Sequence, residues 1–392
     1  MTDIVKPDTS SWTMTEVIYE SAGLSFRARV AITSVYIALF LFGVVGNLVA
    51  VRVVWILKQR TCIKKSVGYH MLSLALSDLL ILVVGIPTEL YSVIWYPFPW
   101  RLGSLGCKGF YYLWETCSFA TIFNILAFSL ERYLVTCHPL RAKIMSRSRT
   151  KKLVLGVWLL SLLSGIPTLI SVGLEDGISP FRGTEEDSRP PVLVCTNISA
   201  QKNTFQALVC TSFVLYVMVL LCVAFTCWQI IQALQGCSSS VTVKCHNGSI
   251  HQLSKIKDTE GLGARRQNAM MLGCIVLVLA VCWLPFQCRR LMTALRWKEQ
   301  WTEQYYLLYI TLQPISNGFY YLSSSINPLL YNVTSSQFRA VLSQWLWRST
   351  CRETTDTSRR SSQCSLVLKT RHRPFSAPAK PDCQSIYSEG SQ

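Results

Sequence analysis

Seven long apolar stretches, separated by shorter polar segments, constrain the fold of this chain more than any other feature. They lie near Val30–Leu57, Val67–Ile94, Lys108–Cys137, Lys152–Val172, Thr204–Leu234, Asn268–Ala294 and Tyr305–Tyr331. A helix needs about 20 mostly apolar residues to cross a hydrocarbon layer about 30 Å thick. Backbone amides in lipid must be paired internally, and runs of this length achieve that as helices. The sequence therefore predicts an all-α fold, a bundle of seven transmembrane helices.

The position of the basic residues decides what the formal net charge of +17 means. These residues lie between the apolar stretches and in the C-terminal part of the chain, so we expect a lipid bilayer and not a nucleic acid as the partner. The segments after the first and third stretches are basic, whereas the segment after the fourth is acidic. Because basic loops stay in the cytoplasm, we expect a multi-pass plasma-membrane protein with an extracellular N-terminus and a cytoplasmic C-terminus.

The polar segments suggest further divisions of the chain. Residues 1–29 are predicted to be an extracellular tail, residues 30–334 the transmembrane domain, and residues 349–392 a disordered cytoplasmic tail. Residues 235–264 are rich in Ser and Gly and are predicted to form a flexible loop.

A short amphipathic helix is predicted over residues 335–348. Phe338, Val341 and Leu342 recur there at helical spacing opposite polar residues, which favours a helix on the inner membrane surface. Cys351 follows it and is a candidate for palmitoylation.

Ionisable and amide side chains inside the spans are expected to face the bundle interior, because lipid does not solvate them. Asp78 lies in the middle of the second span, with Asn47 and Asn327 at similar depth in the first and seventh. With the hydroxyls of Thr121 and Ser323, this polar network could hold a small cation such as Na⁺. The alternative is an aspartate satisfied by amides and water alone.

The triplet Glu131-Arg132-Tyr133 ends the third span just before a basic segment. Arg132 can pair with Glu131 or turn toward a cytoplasmic partner, so the pair could act as a releasable latch. The alternative is an ordinary juxtamembrane charge pair.

In the sixth span, the motif Cys282-Trp283-Leu284-Pro285 places a large indole one turn from the kink at the proline. Proline kinks a helix, so pressure on the indole could swing the inner end of that helix. The alternative is an aromatic side chain that fills the core.

Cys107 and Cys195 are the only cysteines in the predicted extracellular loops. Because that side is oxidising, we predict a disulfide between them that holds the long loop over the mouth of the bundle; the alternative is two free thiols. Asn197 is the acceptor of the only outward-facing sequon and is a candidate glycosylation site.

Taken together, the motifs resemble those of the rhodopsin-like (class A) G-protein-coupled receptors and occur in the same order, with at least one in every span except the fifth, which lacks the proline usual in that family. They are Gly46-Asn47, Leu74-Ala-Leu-Ser-Asp78, Cys107, Glu131-Arg132-Tyr133, Trp158, Cys195, Cys282-Trp283-Leu-Pro285 and Asn327-Pro328-Leu-Leu-Tyr331. The resemblance implies an outward-facing pocket, activation through Arg132, Trp283, Pro328 and Tyr331, a cytoplasmic cleft for a heterotrimeric G protein, and phosphorylation by a receptor kinase followed by arrestin binding.

Four stretches carry a narrower resemblance: Gly85–Trp95, Glu115–Ser118, Cys282–Arg290 and Phe319–Pro328. They are similar to those of the ghrelin, motilin and neurotensin receptor group, and most to a zinc-responsive orphan member. Membership in that group implies an ion pair between Glu115 and Arg290 that divides the pocket; the alternative is that each charge reaches the surface separately. Zinc agonism would need outer histidines, but all five histidines fall at or beyond the predicted cytoplasmic ends. We therefore predict no metal site, and no cofactor apart from Na⁺.

The pocket residues favour a peptide as the ligand, because the predicted mouth combines charges of both signs with aromatic side chains. The candidate contacts are Glu89, Trp114, Glu115, Arg289 and Arg290. A small organic molecule, a lipid or a metal ion remains the alternative ligand, and a transporter or channel the distant alternative function. The spans contain no hydrolase motif, so we do not expect an enzyme.

Overall fold

The computed structural model describes residues 24–59, 65–97, 99–138, 147–176, 192–242, 251–297 and 300–353. Seven of its helices are α1 (Phe26–Gln59), α3 (Gly103–Cys137), α4 (Arg147–Ser171), α5 (Lys202–Thr242), α6 (His251–Leu295), α7 (Glu303–Thr334) and α8 (Ser336–Glu353). The helix α2 comprises Lys65–Leu80, Ile81–Gly85, Ile86–Glu89 and Leu90–Trp95. The predicted all-α bundle is confirmed.

The two wide π turns of α2, Ile81–Gly85 and Leu90–Trp95, flank the short segment that contains Pro87. Proline has no amide hydrogen and its ring clashes with the preceding turn, so the neighbouring turns widen to keep the helix continuous. Glu89, at the end of this short segment, is buried.

The bundle exposes apolar side chains on its surface and buries polar ones inside, the reverse of a soluble protein, which suits a lipid environment. Leu155, Leu163, Leu221 and Leu277 are each at least 60% exposed on the outer faces of their helices. By contrast, Asn47, Asp78 and other polar side chains are buried. Among the described residues, six helices are long and apolar enough to cross a membrane.

The helix α7 completes the predicted set of seven, although it is more polar than the other six. It has 32 residues, which is ample length for a span. Its polar residues Ser316, Asn317 and Ser324 are buried, so they face neighbouring helices and not the outer surface.

The prediction of a flexible loop over residues 235–264 is wrong at both ends. The helix α5 continues to Thr242, and α6 begins at His251, well before the predicted start at Asn268. Once a span has formed a helix, adding a residue is far easier than starting a new helix, so even residues of modest helix propensity beyond the membrane join it.

A two-stranded antiparallel hairpin, which the sequence analysis did not predict, follows α4. Strand β1 (Val172–Asp176) pairs with β2 (Leu193–Asn197), with Leu174 opposite Cys195. Its position defines the hairpin end of the bundle.

The helix α8 ends at Glu353 and is therefore longer than the predicted 335–348. It crosses the boundary between two compact units, Met1–Arg339 and Ala340–Gln392. The first unit contains the seven-helix bundle and the hairpin. The predicted tails 1–29 and 349–392 lie largely outside the described residues.

Candidate functional site

A cavity of about 680 Å³ opens at the hairpin end of the bundle. All seven helices of the bundle and both strands contribute to its wall. The five predicted pocket residues all line it: Glu89, Trp114, Glu115, Arg289 and Arg290. A cavity of this size accommodates a drug-sized molecule or several residues of a peptide.

The predicted disulfide is present and joins Cys107, near the start of α3, to Cys195 of β2, with the two Cα atoms 5.6 Å apart. This bond anchors the hairpin beside the cavity, which residues Val194 to Asn197 line. Asn197, the predicted glycosylation site, is half-buried there, and its Oδ1 accepts a hydrogen bond from Thr196.

Glu115 of α3 and Arg290 of α6 form an ion pair across the cavity. Both side chains are mostly buried, at 7% and 11% exposed. Arg290 also lies 3.4 Å from the Ser212 hydroxyl of α5, and its guanidinium lies 5.6 Å from the Phe286 ring centroid. One carboxylate oxygen of Glu115, Oε2, has no hydrogen-bond partner in the described part of the chain. This oxygen is buried, so a ligand reaches it only when the pair moves.

Arg289, the neighbouring residue, is held by neutral acceptors. Its Nε donates to Ser316 Oγ at 2.8 Å, Nη1 to Tyr309 OH at 2.8 Å, and Nη2 to Asn317 Oδ1 at 2.9 Å. No ion pair forms between this guanidinium and a carboxylate of the described residues. Three of its five N–H groups are thus used, and Arg289 presents its other two to the cavity without a directly bonded carboxylate; Glu89 lies beyond Asn317.

Glu89 of α2 lines the cavity wall, but its side chain is almost fully buried, at 2% exposed. Its carboxylate accepts hydrogen bonds from Tyr36 at 3.0 Å, Asn317 at 2.9 Å and Tyr321 at 2.6 Å. Glu89 thus joins α1, α2 and α7. The sequence analysis found the residue but not these partners, because they lie more than 50 positions away along the chain.

Aromatic rings connect the floor of the cavity to the centre of the bundle. Trp114 stacks on Tyr320 with centroids 5.1 Å apart, and Tyr320 contacts Trp283 at 5.3 Å. Trp283 in turn stacks on Tyr216 and donates from Nε1 to Ser323 Oγ at 3.1 Å. A ligand that displaces Trp114 would therefore press on the proline-containing helix α6 through two ring contacts.

The polar network in the middle of the bundle is only partly the one expected. Asn327 donates to Asp78 Oδ2 at 2.7 Å. Asn47 donates instead to the carbonyls of Gly43 and Ser324, at 2.9 and 3.0 Å. Thr121 is bonded to Ser77, and Ser323 to Trp283.

Two buried oxygens near this network could accept a cation. Asp78 Oδ1 and Asn47 Oδ1 have no hydrogen-bond partner in the part of the chain that the structure describes. Carboxylate and amide oxygens are suitable ligands for a hard cation. The donor set is therefore consistent with a bound Na⁺.

At the opposite end of the bundle, Glu131 accepts a hydrogen bond from Arg132 at 2.7 Å. The same carboxylate contacts Ser66 and lies 3.2 Å from His70, both on α2. Tyr133 makes a separate contact, at 3.2 Å, with His138. The sequence predicted the pair of adjacent charges, whereas nothing in the sequence alone indicated that α2 would share the carboxylate.

The remaining predicted residues are located as follows. Pro285 and Pro328 lie inside α6 and α7, and Tyr331 is buried against Phe338. Cys351 falls on the last turn of α8. Among the described residues, no group of three or more His, Cys, Asp or Glu side chains could hold a metal ion.

Comparison with known protein families shows that residues 46–331 match the family 7 transmembrane receptor (rhodopsin family). G-protein coupled receptor 39 of Bos taurus is 39% identical over 332 residues, which cover 81% of this chain and 73% of the relative. Neurotensin receptor type 1 of Mus musculus is 37% identical, covering 80% and 75% respectively. Neurotensin receptor type 2 of Rattus norvegicus is 32% identical, covering 81% and 85%.

Proposed function

Since the chain belongs to the rhodopsin family of seven-transmembrane receptors, and is thus a multi-pass membrane receptor and not an enzyme, we propose that it responds to an extracellular peptide. The response passes to a heterotrimeric G protein at the opposite end of the bundle. Two of the relatives are named as receptors for neurotensin, a peptide. The observation that carries the proposal is the charged cavity at the hairpin end.

The charges of the cavity suit a peptide because they are fixed, of both signs and on different walls. Arg289 offers two N–H groups and a positive charge that no carboxylate of the described residues bonds directly, which suits a carboxylate such as a peptide C-terminus. Glu115 adds a carboxylate to the cavity wall, and Trp114 adds an aromatic ring. A ligand without polar groups would cover the two remaining N–H groups of Arg289 without bonding them, which is unfavourable.

The orientation of the bundle in the membrane follows from the basic residues at one end and the disulfide at the other. Lys58, Lys151 and Lys152 lie at the end away from the hairpin, and basic segments remain in the cytoplasm. The Cys107–Cys195 disulfide belongs to the oxidising side. We therefore place the hairpin and the N-terminus outside the cell and the C-terminus inside.

Activation begins when the peptide displaces Trp114 or the pair Glu115–Arg290. The ring contacts carry this displacement to Trp283, and α6 swings about Pro285. Arg132 then leaves Glu131 and contacts the G protein. A receptor kinase and arrestin subsequently recognise the cytoplasmic tail, and Cys351 is palmitoylated.

Na⁺ acts as an allosteric ion in this proposal. Asp78 and Asn47, each with a buried oxygen that has no hydrogen-bond partner in the described residues, would hold the ion, whose positive charge would stabilise the arrangement in which Asn327 is bonded to Asp78. This follows from mass action, because a ligand stabilises the conformation that it prefers.

The test is a screen of cells expressing the receptor for calcium release and for G-protein dissociation. Peptides, lipids, small organic molecules and zinc salts are compared, with Arg132→Ala at matched surface expression as the inactive control. We expect peptides to activate the wild-type receptor and not the variant. Activation by lipids or zinc alone would reject the peptide assignment, and ion flux through the purified protein in liposomes would reject the receptor mechanism.

A further inference from the structure

The amide of Asn317 lies between a buried carboxylate and a buried guanidinium. Its Nδ2 is 2.9 Å from Glu89 Oε1, and its Oδ1 is 2.9 Å from Arg289 Nη2. Turning the amide over would direct its oxygen at the carboxylate and its NH₂ group at the guanidinium, and both contacts would be repulsive. The carboxylate of Glu89 therefore fixes the amide so that Asn317 presents its oxygen to Arg289.

Glu89 is well placed to fix that amide because it is itself held. Tyr36 of α1 and Tyr321 of α7 both donate to its carboxylate, at 3.0 and 2.6 Å. With 2% of its surface exposed, its oxygens are directed at protein donors and not at the cavity. A direct role in ligand contact is thus a poor fit to its surroundings.

Of the three acceptors that hold Arg289, only Asn317 has a fixed polarity. The other two, Ser316 and Tyr309, are hydroxyls, which can rotate and can donate as well as accept. The interposed amide has a second consequence. A carboxylate bonded directly to Arg289 would occupy its N–H groups and neutralise it, whereas Asn317 restrains the guanidinium and leaves its charge available.

We propose that Glu89 is a positioning residue for anion recognition: acting through Asn317, it holds the Arg289 guanidinium in the orientation that receives a carboxylate of the ligand. The inference rests on the proposed function, which assigns the cavity to a peptide. It adds a specificity determinant that does not itself touch the ligand.

The test uses full-length purified receptor and a panel of synthetic hexapeptides, each prepared with a free C-terminal carboxylate and as the C-terminal amide. The readout is the ratio of acid to amide affinity for each peptide. We expect the wild-type receptor to prefer the acid by at least about tenfold, roughly the effect of one charge-assisted hydrogen bond. Arg289→Gln should remove this preference, and Glu89→Gln should reduce it severalfold.

The double variant with both substitutions decides between positioning and other roles. If Glu89 acts through Arg289, then Glu89→Gln should change the ratio in the wild-type background and leave it unchanged in the Arg289→Gln background. Equal loss of acid and amide affinity in both backgrounds would overturn the proposal, as would an undiminished acid preference in Glu89→Gln. If the wild-type receptor binds no hexapeptide acid more tightly than its amide, the anion site assumed in the proposed function is itself rejected.

A second variant keeps the test decisive if Glu89→Gln does not fold. Asn317→Leu preserves the size of the side chain and removes the relay while leaving Glu89 bonded to two tyrosines, so it should lose the acid preference to a similar extent. Thr311→Ala, which removes only a hydroxyl bonded to the Leu307 carbonyl at an exposed position of α7 outside the cavity wall, is the matched control. An acid preference retained in Asn317→Leu would contradict the proposed relay.

Discussion

The imidazole of His70 lies 3.2 Å from the carboxylate of Glu131, a residue 61 positions further along the chain. Arg132 bonds the other oxygen of the same carboxylate at 2.7 Å. Because α2 supplies His70 and α3 supplies Arg132, the carboxylate keeps a donor when one of the two departs. Release of Arg132 therefore does not leave a bare buried charge, which lowers the free energy needed to open the latch.

Replacing Glu131 with Gln should raise basal G-protein activation. The substitution removes the negative charge that holds Arg132, and a hydrogen bond to a charged group contributes about 1.5–3 kcal/mol, so we expect an increase of roughly fivefold or more. Nucleotide exchange by a purified G protein, without agonist, measures it. Adding Arg132→Ala to the same variant should abolish the increase, and basal activity that survives the double substitution would contradict a role for Arg132 in coupling.

Sodium should stabilise the wild-type receptor but not the Asp78→Asn variant. A cation that binds the folded bundle raises its melting temperature by mass action, and a gain of about 1 kcal/mol corresponds to about 2 °C. The measurement compares thermal unfolding in sodium chloride and in choline chloride at equal ionic strength. An equal sodium effect on both proteins would place the ion elsewhere or show that its effect is nonspecific.

The fold was predictable because hydropathy reports directly on burial in lipid, and each span appears as a long apolar run. The helix ends were less predictable: α6 begins at His251 because a helix nucleated in the membrane propagates into polar residues that hydropathy assigns to a loop. The β1–β2 hairpin was missed because its strands, residues 172–176 and 193–197, are short and far apart along the chain, and because the Cys107–Cys195 disulfide ties β2 to α3 and not to β1.

The site was predictable where partners are adjacent or at matching depths. Glu131 and Arg132 are neighbours in the chain, and Asp78 and Asn327 share a depth. Depth does not fix the rotation of a helix about its axis, however. Asn47 has the expected depth but bonds backbone carbonyls, and the partners of Glu89 lie on helices whose rotation the sequence does not reveal.

Replacing Gly43 with Ala should destabilise the contact between α1 and α7. A Cβ atom at this position would lie 2.5 Å from Ser325 Oγ and 2.6 Å from Leu82 Cδ1, closer than atoms can pack. Such overpacking costs about 1–3 kcal/mol, so the melting temperature of the purified receptor should fall by a few degrees. Gly156→Ala is the matched control, because a Cβ there meets no atom within 4 Å and alanine favours a helix. Similar melting temperatures for the two variants would contradict the tight packing at Gly43.

Replacing Glu115 with Gln should destabilise the receptor more than reversing both charges of the Glu115–Arg290 pair. The single change leaves the mostly buried guanidinium of Arg290 without its carboxylate, at a cost of about 3 kcal/mol. The double variant Glu115→Arg, Arg290→Glu restores an ion pair in the opposite direction. It should therefore recover much of the melting temperature and surface expression.

Agonist potency should stay low in the double variant, because the charges that face the ligand have exchanged walls. Equal melting temperatures for the single and double variants would show that the pair does not contribute to stability, and full recovery of potency would show that its direction does not matter to the ligand.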